Sequence, residues 1–169
     1  MKTFFPLNKL ECRKALKLDL DGRIALFSSS FDRAEKNYPL ARKSVELVDG
    51  LTFVELSENY KRHEVILLLN ACDLLLMTST KEGSPQVIKE AMACNCPIVS
   101  TDVGDVKEVI GKTEGCYISS FQPEDVAKKI KLALGFGKKT KGRDRIKHLD
   151  NNIIAEQIIS VYNKVLSTY

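Results

Sequence analysis

Two carboxylates and a predicted helix start lie together in the segment EGSPQVIKE, which runs from Glu82 to Glu90. Ser84 is a helix-capping residue type and Pro85 suits the first helical position, so a helix is predicted to begin there. The free amides and the dipole of such a start favour an anion such as a pyrophosphate. Gln86 and Glu90 share one face of this helix, which places Glu90 about 6 to 9 Å along the axis from the anion.

A carboxylate can accept hydrogen bonds from both hydroxyls of a cis-diol, as dinucleotide-binding folds do at the ribose. Glu90 is therefore predicted at the ribose of a nucleotide, and Glu82 at a group attached to the far end of its diphosphate. Lys36 and Arg33, in the loop after the first predicted strand, could neutralise the diphosphate. The alternative is that all four are ordinary solvated charges in turns and on a helix surface.

Short apolar runs alternate with helical patterns along the chain. Strands are predicted at 23–29, 51–56, 74–79, 97–101 and 116–119, and their continuous apolar character is typical of parallel strands covered on both faces. Helices are predicted at 38–48, 62–71, from Pro85, from a capping box at Asp105 and Glu108, at 123–134 and at about 153–166. The pattern predicts an α/β, Rossmann-like three-layer domain with an open, mostly parallel sheet and helices on both faces. Ligands bind such sheets at the carboxyl ends of the strands.

We divide the chain into a lead-in segment at 1–22, a nucleotide-binding Rossmann-like domain at 23–150 and a closing helix at 151–169. The 169 residues, 44% hydrophobic and 28% charged, suit one ordinary globular domain. The net charge of +4 suits an anionic ligand and does not imply nucleic acid. The five cysteines favour a reducing compartment, and the chain is expected in the cytoplasm.

Two other sites that could bind a ligand find little support in the sequence. Cys94 and Cys96 are spaced as metal ligands can be, but no second pair of cysteines or histidines accompanies them, so no metal site is predicted. No Gly-rich dinucleotide fingerprint and no Walker loop follows any predicted strand.

The segment from Cys72 to Ile110 resembles the donor-binding signature of the retaining nucleotide-sugar glycosyltransferases of GT-B architecture, the large group-one family. The resemblance rests on two glutamates separated by seven residues, here Glu82 and Glu90, followed by Ala-Met-Ala and a Pro-Ile-Val strand. FFPLNKLECRKALKL, at 4–18, resembles the family's entry into its second domain, and IISVYNKVL, at 158–166, resembles its closing helix. The resemblance implies the C-terminal half of such an enzyme, with the N-terminal acceptor domain as its partner.

Site roles carry over from this family by position. Glu90 would contact the ribose, Glu82 the donor sugar and Lys36 the diphosphate, with Glu82 and Lys36 as the catalytic residues. Amides around Gly83, Ser84, Gln86 and Val87 would hold sugar and phosphate, and Tyr60 and Arg62 would lie near the base. The family often has Gly-Arg where this chain has Ser30 and Phe31, and Arg33 would supply the missing charge.

The implied activity is transfer of a sugar, with retention, from a nucleotide diphosphate sugar to a glycan or lipid-linked acceptor, without a metal or other cofactor. The chain alone would turn over little. The alternatives are a non-catalytic nucleotide-binding or scaffold module and one half of a nucleotide-sugar epimerase. The basic run at 138–148 could attract an anionic membrane surface at the inner face, or it could be an ordinary solvated segment.

Overall fold

The computed structural model describes residues 3–57 and 59–167 of the chain. Within those residues, five parallel strands form one sheet in the order β2-β1-β3-β4-β5. The strands are β1 (Arg23–Phe27), β2 (Leu51–Glu55), β3 (Leu74–Met77), β4 (Ile98–Thr101) and β5 (Cys116–Ser119). The predicted open parallel sheet is confirmed, and four of its strands are one or two residues shorter than their apolar runs.

Eight α-helices accompany these strands in the described ranges. They are α1 (Lys9–Leu16), α2 (Tyr38–Glu46), α3 (Arg62–Ala71), α4 (Gln86–Ala93), α5 (Val106–Ile110), α6 (Pro123–Phe136), α7 (Gly142–Arg145) and α8 (Asn151–Leu166). Short 3-10 turns lie at Ala34–Lys36 and Lys147–Leu149. α6 runs two residues beyond its predicted end, to Phe136, and the left-handed conformation of Gly137 (φ 64°) terminates it. α1 and α7 were not predicted.

The sheet has an apolar core on each face, as the continuous apolar strands require. On one face, Leu75 and Met77 of β3 pack with side chains of α3, α4 and α5. On the other face, Leu74 and Leu76 pack with α2 and α6. All four of these side chains are fully buried, so truncating any of them to alanine is expected to cost about 2 to 5 kcal/mol of stability.

The lead-in segment packs against the domain through the buried side chain of Arg13. Its guanidinium donates to the backbone oxygens of Ala71 and Gly22 and forms an ion pair with Asp73 at 2.9 Å. The same Asp73 oxygen accepts from the amide of Ile24 at 2.7 Å. Arg13 therefore connects α1 to the beginnings of β1 and β3, at the amino edge of the sheet.

α8 lies at the other extreme of burial, since it has no buried residue. Several of its apolar side chains are more than half exposed, among them Ile158, Val161, Tyr162 and Leu166. No helix in the described part of the chain is long and apolar enough to cross a bilayer. The proposed division of the chain stays a prediction, and residues 1, 2, 168 and 169 at its two ends lie outside the described ranges.

The strand order determines where a ligand can bind. The chain leaves β1 for β2 on one side and then returns across β1 to β3 on the other, so the connections diverge between β1 and β3. In open parallel sheets the ligand crevice lies outside the carboxyl ends of the strands at such a switch point. The loops after β1 and β3 are the two that meet there.

Candidate active site

An ion pair joins those two loops. Nζ of Lys36 lies 2.6 Å from Oε1 of Glu82, and both side chains are only 15% exposed. The hydroxyl of Ser79 donates to the same carboxylate oxygen at 2.8 Å. Lys36 ends the 3-10 turn after β1, whereas Glu82 lies in the loop after β3, so the switch point brings together residues that are 46 positions apart.

Backbone contacts hold the two loops in this arrangement. The hydroxyl of Thr78 donates to the carbonyl oxygens of Lys36 and Asn37, each at 3.0 Å. The amide of Thr80 donates to the carbonyl oxygen of Glu35 at 2.9 Å. Sequence reasoning missed Thr78 and also Ser79, although the run Thr-Ser-Thr directly follows a buried strand. Buried hydroxyl groups need hydrogen-bond partners, so this run could have indicated contacts between the strand end and a neighbouring loop.

The start of α4 differs from the prediction by one residue. α4 begins at Gln86, Pro85 occupies the N-cap position and no side chain caps the helix. The prediction of Ser84 as the cap is therefore wrong. The Ser84 hydroxyl donates instead to the carboxylate of Asp105 and accepts from the ammonium of Lys89. The amide of Ile88 donates to the carbonyl oxygen of Pro85 at 3.3 Å. The amides of Gln86 and Val87 have no preceding helical turn to bond to, as at any helix start, and remain suited to an anion.

The capping box predicted at Asp105 and Glu108 is also wrong. Asp105 does precede α5, but its side chain makes no capping bond. The carboxylate is engaged by Ser84 and lies 3.6 Å from Nζ of Lys89. These contacts between loops replace the local cap and link the start of α4 to the start of α5.

A glycine contact lies between the same two loops. The carbonyl oxygen of Gly83 accepts from the amide of Asp105 at 3.1 Å. Gly104 has φ +55°, and a Cβ placed on it would lie 2.1 Å from that carbonyl oxygen. Only glycine allows the loop after β4 to approach the Gly83 backbone this closely.

Glu90 lines a cavity of about 320 Å³ beside α4. Gln86 and Lys89 of α4, Arg62 of α3 and Phe4 contribute to its wall. Burial raises the pKa of Glu90, and the nearby charge of Arg62 partly opposes this effect. The Arg62 guanidinium also lies 5.4 Å from the ring centroid of Phe4. The predicted face shared by Gln86 and Glu90 thus opens into a space that could hold part of a ligand.

Lys36 and Glu82 do not line that cavity. The candidate site therefore has two parts, a buried charge pair at the switch point and a cavity at Glu90. The loop at 83–85 and the first turn of α4 connect them. The predicted sugar, phosphate and ribose contacts along the segment from Glu82 to Glu90 stay predictions.

The remaining predicted residues have other contacts. The Phe31 ring stacks on Tyr38, with centroids 4.1 Å apart, so it belongs to an aromatic cluster beneath the loop. Arg33 is nearly half exposed and pairs with Glu35. Tyr60 and Val87 are partly buried against the apolar core.

Neither the acidic nor the basic clusters add a second site. In the described residues, no group of three or more His, Cys, Asp or Glu could hold a metal ion. In the basic run, Lys139, Arg143 and Arg145 donate to backbone oxygens of Asn70, Phe4 and Glu108. These three side chains therefore have structural contacts, and the predicted attraction of the run to an anionic membrane surface stays a prediction.

Comparison with known proteins identifies the class. The sequence model described as "Glycosyl transferases group 1" matches residues 43–147, which include α4 and most of the sheet. The chain therefore belongs to the group 1 glycosyltransferases.

Two relatives with curated names share about a third of their residues with the chain over the aligned segments. One, from Campylobacter jejuni, is an N,N'-diacetylbacillosaminyl-diphospho-undecaprenol alpha-1,3-N-acetylgalactosaminyltransferase, 31% identical over 62% of this chain and 30% of its own length. The other, from Bacillus subtilis, is named as the teichuronic acid biosynthesis glycosyltransferase TuaC, 30% identical over 72% of this chain and 36% of its own length. The chain thus matches about a third of the length of each relative.

Solved structures show the same fold. Sucrose-phosphate synthase from Thermosynechococcus elongatus superposes with a TM-score of 0.76 and 22% identity, over 99% of this chain and 51% of that one. Anabaena HepE in complex with UDP gives a TM-score of 0.71 and 16% identity, over 91% of this chain and 52% of that one. The likeness extends over nearly the whole chain and about half of each solved protein.

Proposed function

We propose that this chain is the donor-binding half of a retaining glycosyltransferase, which transfers a sugar from a nucleotide diphosphate sugar to a glycan or lipid-linked acceptor. The observation that carries the proposal is the Lys36–Glu82 pair beside the free amides of α4, at the switch point of the sheet. A cation and a helix start together suit a diphosphate, and a carboxylate beside them suits sugar hydroxyls.

The donor lies along the segment from Glu82 to Glu90. Glu90 accepts hydrogen bonds from the ribose hydroxyls, the first amides of α4 and Lys36 hold the diphosphate, and Glu82 holds the sugar. Arg62 lies in the same cavity as Glu90, toward the base. UDP is the nucleotide of first choice, because the HepE structure of the same fold contains it.

Catalysis by these residues is electrostatic. The bond between the anomeric carbon and the diphosphate breaks while the bond to the acceptor oxygen forms on the same face of the sugar. The acceptor proton passes to an oxygen of the departing phosphate. Lys36 and the α4 amides stabilise the negative charge that develops on the diphosphate, whereas Glu82 keeps the sugar in position.

The acceptor and the second wall of the cleft come from a further domain. Its existence is supported by the lengths of the relatives and solved structures, of which this chain matches about a third to a half. The exposed apolar side chains of α8 suit contact with that domain. We expect the chain alone to bind the donor weakly and to transfer little sugar. We propose the cytoplasm as its location.

Calorimetric titration of the chain with UDP, GDP, ADP and their sugar conjugates tests the proposal. Glu90→Ala and Lys36→Ala should each lose about 1.5 to 3 kcal/mol of binding free energy, the range for hydrogen bonds to charged groups. Glu11→Ala and Lys14→Ala serve as matched controls, because these residues form an exposed pair on α1 at the opposite edge of the sheet. If no nucleotide binds at millimolar concentration, or if Glu90→Ala binds like wild type, the proposal fails.

A further inference from the structure

Two buried cysteines lie side by side at the amino edge of the sheet, away from the donor site. The sulfur atoms of Cys72 and Cys96 are 3.5 Å apart, and both residues are free thiols with at most 4% exposure. Cys72 follows α3 directly and Cys96 precedes β4 by two residues. The pair is therefore set by the beginnings of two adjacent strands.

The backbone around both cysteines is fixed. The amide of Cys72 donates to the carbonyl oxygen of Leu68 at 3.0 Å, and the amide of Cys96 donates to that of Ala91 at 2.9 Å. Between the two strands, the amide of Leu75 donates to the carbonyl oxygen of Pro97 at 2.8 Å. The sulfurs need to approach by only about 1.5 Å to reach the ~2.05 Å of a disulfide bond, a distance that side-chain rotation can supply.

A cavity of about 240 Å³ gives access to this pair. Cys72 and Pro97 lie in its wall, together with Lys9, Lys138 and Lys139. Of the two cysteines, Cys72 is therefore the one that borders a space large enough for a small neutral molecule. The other buried cysteines, such as Cys116, do not line this cavity.

From this geometry we infer that Cys72 and Cys96 are an oxidation site that forms a disulfide with a small peroxide as the oxidant. The Cys72 sulfur attacks one oxygen of hydrogen peroxide. The O–O bond breaks, and a sulfenic acid and one water form. The Cys96 sulfur then attacks the Cys72 sulfur. The S–S bond forms, the S–O bond breaks, and the hydroxyl leaves with the Cys96 proton as a second water. Two thiols are oxidised and one peroxide is reduced.

The electrostatics of the pair favour the second of these two steps. The hydrogen-bonding contact between the two sulfurs raises the pKa of Cys72, and burial raises it further, whereas the same contact lowers the pKa of Cys96. Lys139 lowers the pKa of both. Because thiolates are the nucleophiles, Cys96 is suited to the second step, whereas the first step at Cys72 should be slow.

The crosslink would join the two ends of the segment that carries β3, the Glu82 loop and α4. Oxidation would thus restrain the backbone on which the candidate donor site is built, although neither cysteine contacts the donor. The inference does not depend on the proposed function, since it concerns two thiols and an oxidant alone.

Peptide mapping after oxidation tests the inference. The full chain is reduced, exposed to millimolar hydrogen peroxide, quenched with acid, alkylated in denaturant and digested with pepsin without reduction. We expect a loss of two hydrogen atoms in the intact mass, three alkylated cysteines, and one linked peptide pair that contains Cys72 and Cys96.

Two variants control the assignment. Cys72→Ser should lose the linked pair, whereas Cys116→Ser, which replaces another buried cysteine, should keep it. Wild-type protein in which all five cysteines remain alkylated after exposure would overturn the inference, as would a crosslink between any other two cysteines. The wild-type map decides the question even if Cys72→Ser does not fold.

Discussion

Lys36 and Glu82 neutralise each other at 2.6 Å and with little exposure to solvent. In the proposed complex these residues have separate partners, the diphosphate for Lys36 and the sugar for Glu82. Glu82 therefore occupies Lys36 as an internal anion when no donor is bound. A nucleoside diphosphate must compete with that carboxylate, whereas a full donor also gives the carboxylate a new partner.

This competition predicts that Glu82→Gln affects the binding of UDP more than the binding of the full donor. The amide keeps the shape but removes the charge, so UDP should bind about 1 kcal/mol more tightly, roughly fivefold. UDP-sugar should gain less, because its hydroxyls lose an ionised acceptor. Calorimetry with UDP and UDP-glucose on the same preparation measures both. Weaker UDP binding by the variant would contradict the prediction.

The exposed residue Glu11 provides a control for this prediction. It pairs with Lys14 on α1, and Glu11→Gln should leave both affinities unchanged. Ser79→Ala tests the same arrangement from the other side, because Ser79 donates to the carboxylate oxygen that contacts Lys36. Loss of this bond should loosen the pair and tighten UDP binding by less than Glu82→Gln does.

The pH dependence of UDP binding should report on Glu90. Burial raises the pKa of its carboxyl group, so Glu90 becomes protonated at a higher pH than an ordinary glutamate. Since the ionised form is the better acceptor for the ribose hydroxyls, affinity should fall as the pH drops through this raised pKa. UDP itself titrates in weakly acidic solution, so the pH profile of Glu90→Gln is the reference. Parallel profiles for wild type and variant would exclude a titrating role for Glu90.

The raised pKa of Glu90 also affects stability: at neutral pH the ionised carboxylate favours ligand binding but disfavours the folded state. A carboxyl group with a raised pKa binds its proton more tightly in the folded than in the unfolded state, so its ionisation costs stability above the folded pKa. Glu90→Gln should therefore increase the free energy of unfolding at neutral pH. The difference from wild type should shrink as the pH falls through the folded pKa. Urea unfolding across this range measures it, and a variant that is less stable at neutral pH would contradict the prediction.

Much of the fold was predictable because its determinants are local. Continuous apolar runs predicted all five strands, and Pro123 predicted the start of α6. α1 was missed because its sequence is mixed in character, and its packing depends on Arg13 reaching carbonyl oxygens and Asp73 far along the chain. Local pattern does not contain such contacts.

The sequence suggested candidate site residues but not the contacts between them. The spacing of Glu82 and Glu90 singled out both carboxylates, yet the contact between Glu82 and Lys36 depends on the strand order, which periodicity does not determine. The cap at Ser84 failed because Asp105, from another loop, engages its hydroxyl. Phe31 could not be assigned from sequence because its aromatic partners come from separate elements.

Arg13 is predicted to be essential for stability. Its side chain is 1% exposed and is bonded to Asp73 and to backbone oxygens. Arg13→Met would leave the buried backbone oxygens without this donor and Asp73 with Lys9 as its remaining cation. The loss of several hydrogen bonds to a charged group should cost about 3 kcal/mol or more. Lys14→Met, on the exposed face of the same helix, should change stability by about 0.5 kcal/mol or less. Urea unfolding of both variants makes the comparison, and equal stabilities would contradict the role given to Arg13.

Substitution of Gly104 tests whether the loop after β4 positions the loop at 83–85, where the donor is proposed to bind. A Cβ at this position would lie 2.1 Å from the carbonyl oxygen of Gly83, in a backbone conformation that disfavours side chains. Gly104→Ala should therefore cost about 1 to 3 kcal/mol of stability and displace the backbone between Glu82 and α4.

Gly135→Ala is the matched control, because Gly135 lies in α6 with no atom within 4 Å of its Cβ position. That change should stabilise the protein by about 0.5 to 1 kcal/mol and leave UDP binding intact. If Gly104→Ala weakens UDP binding under conditions in which the variant is fully folded, the loop positions the phosphate site. Unchanged binding by folded Gly104→Ala would limit Gly104 to a structural role.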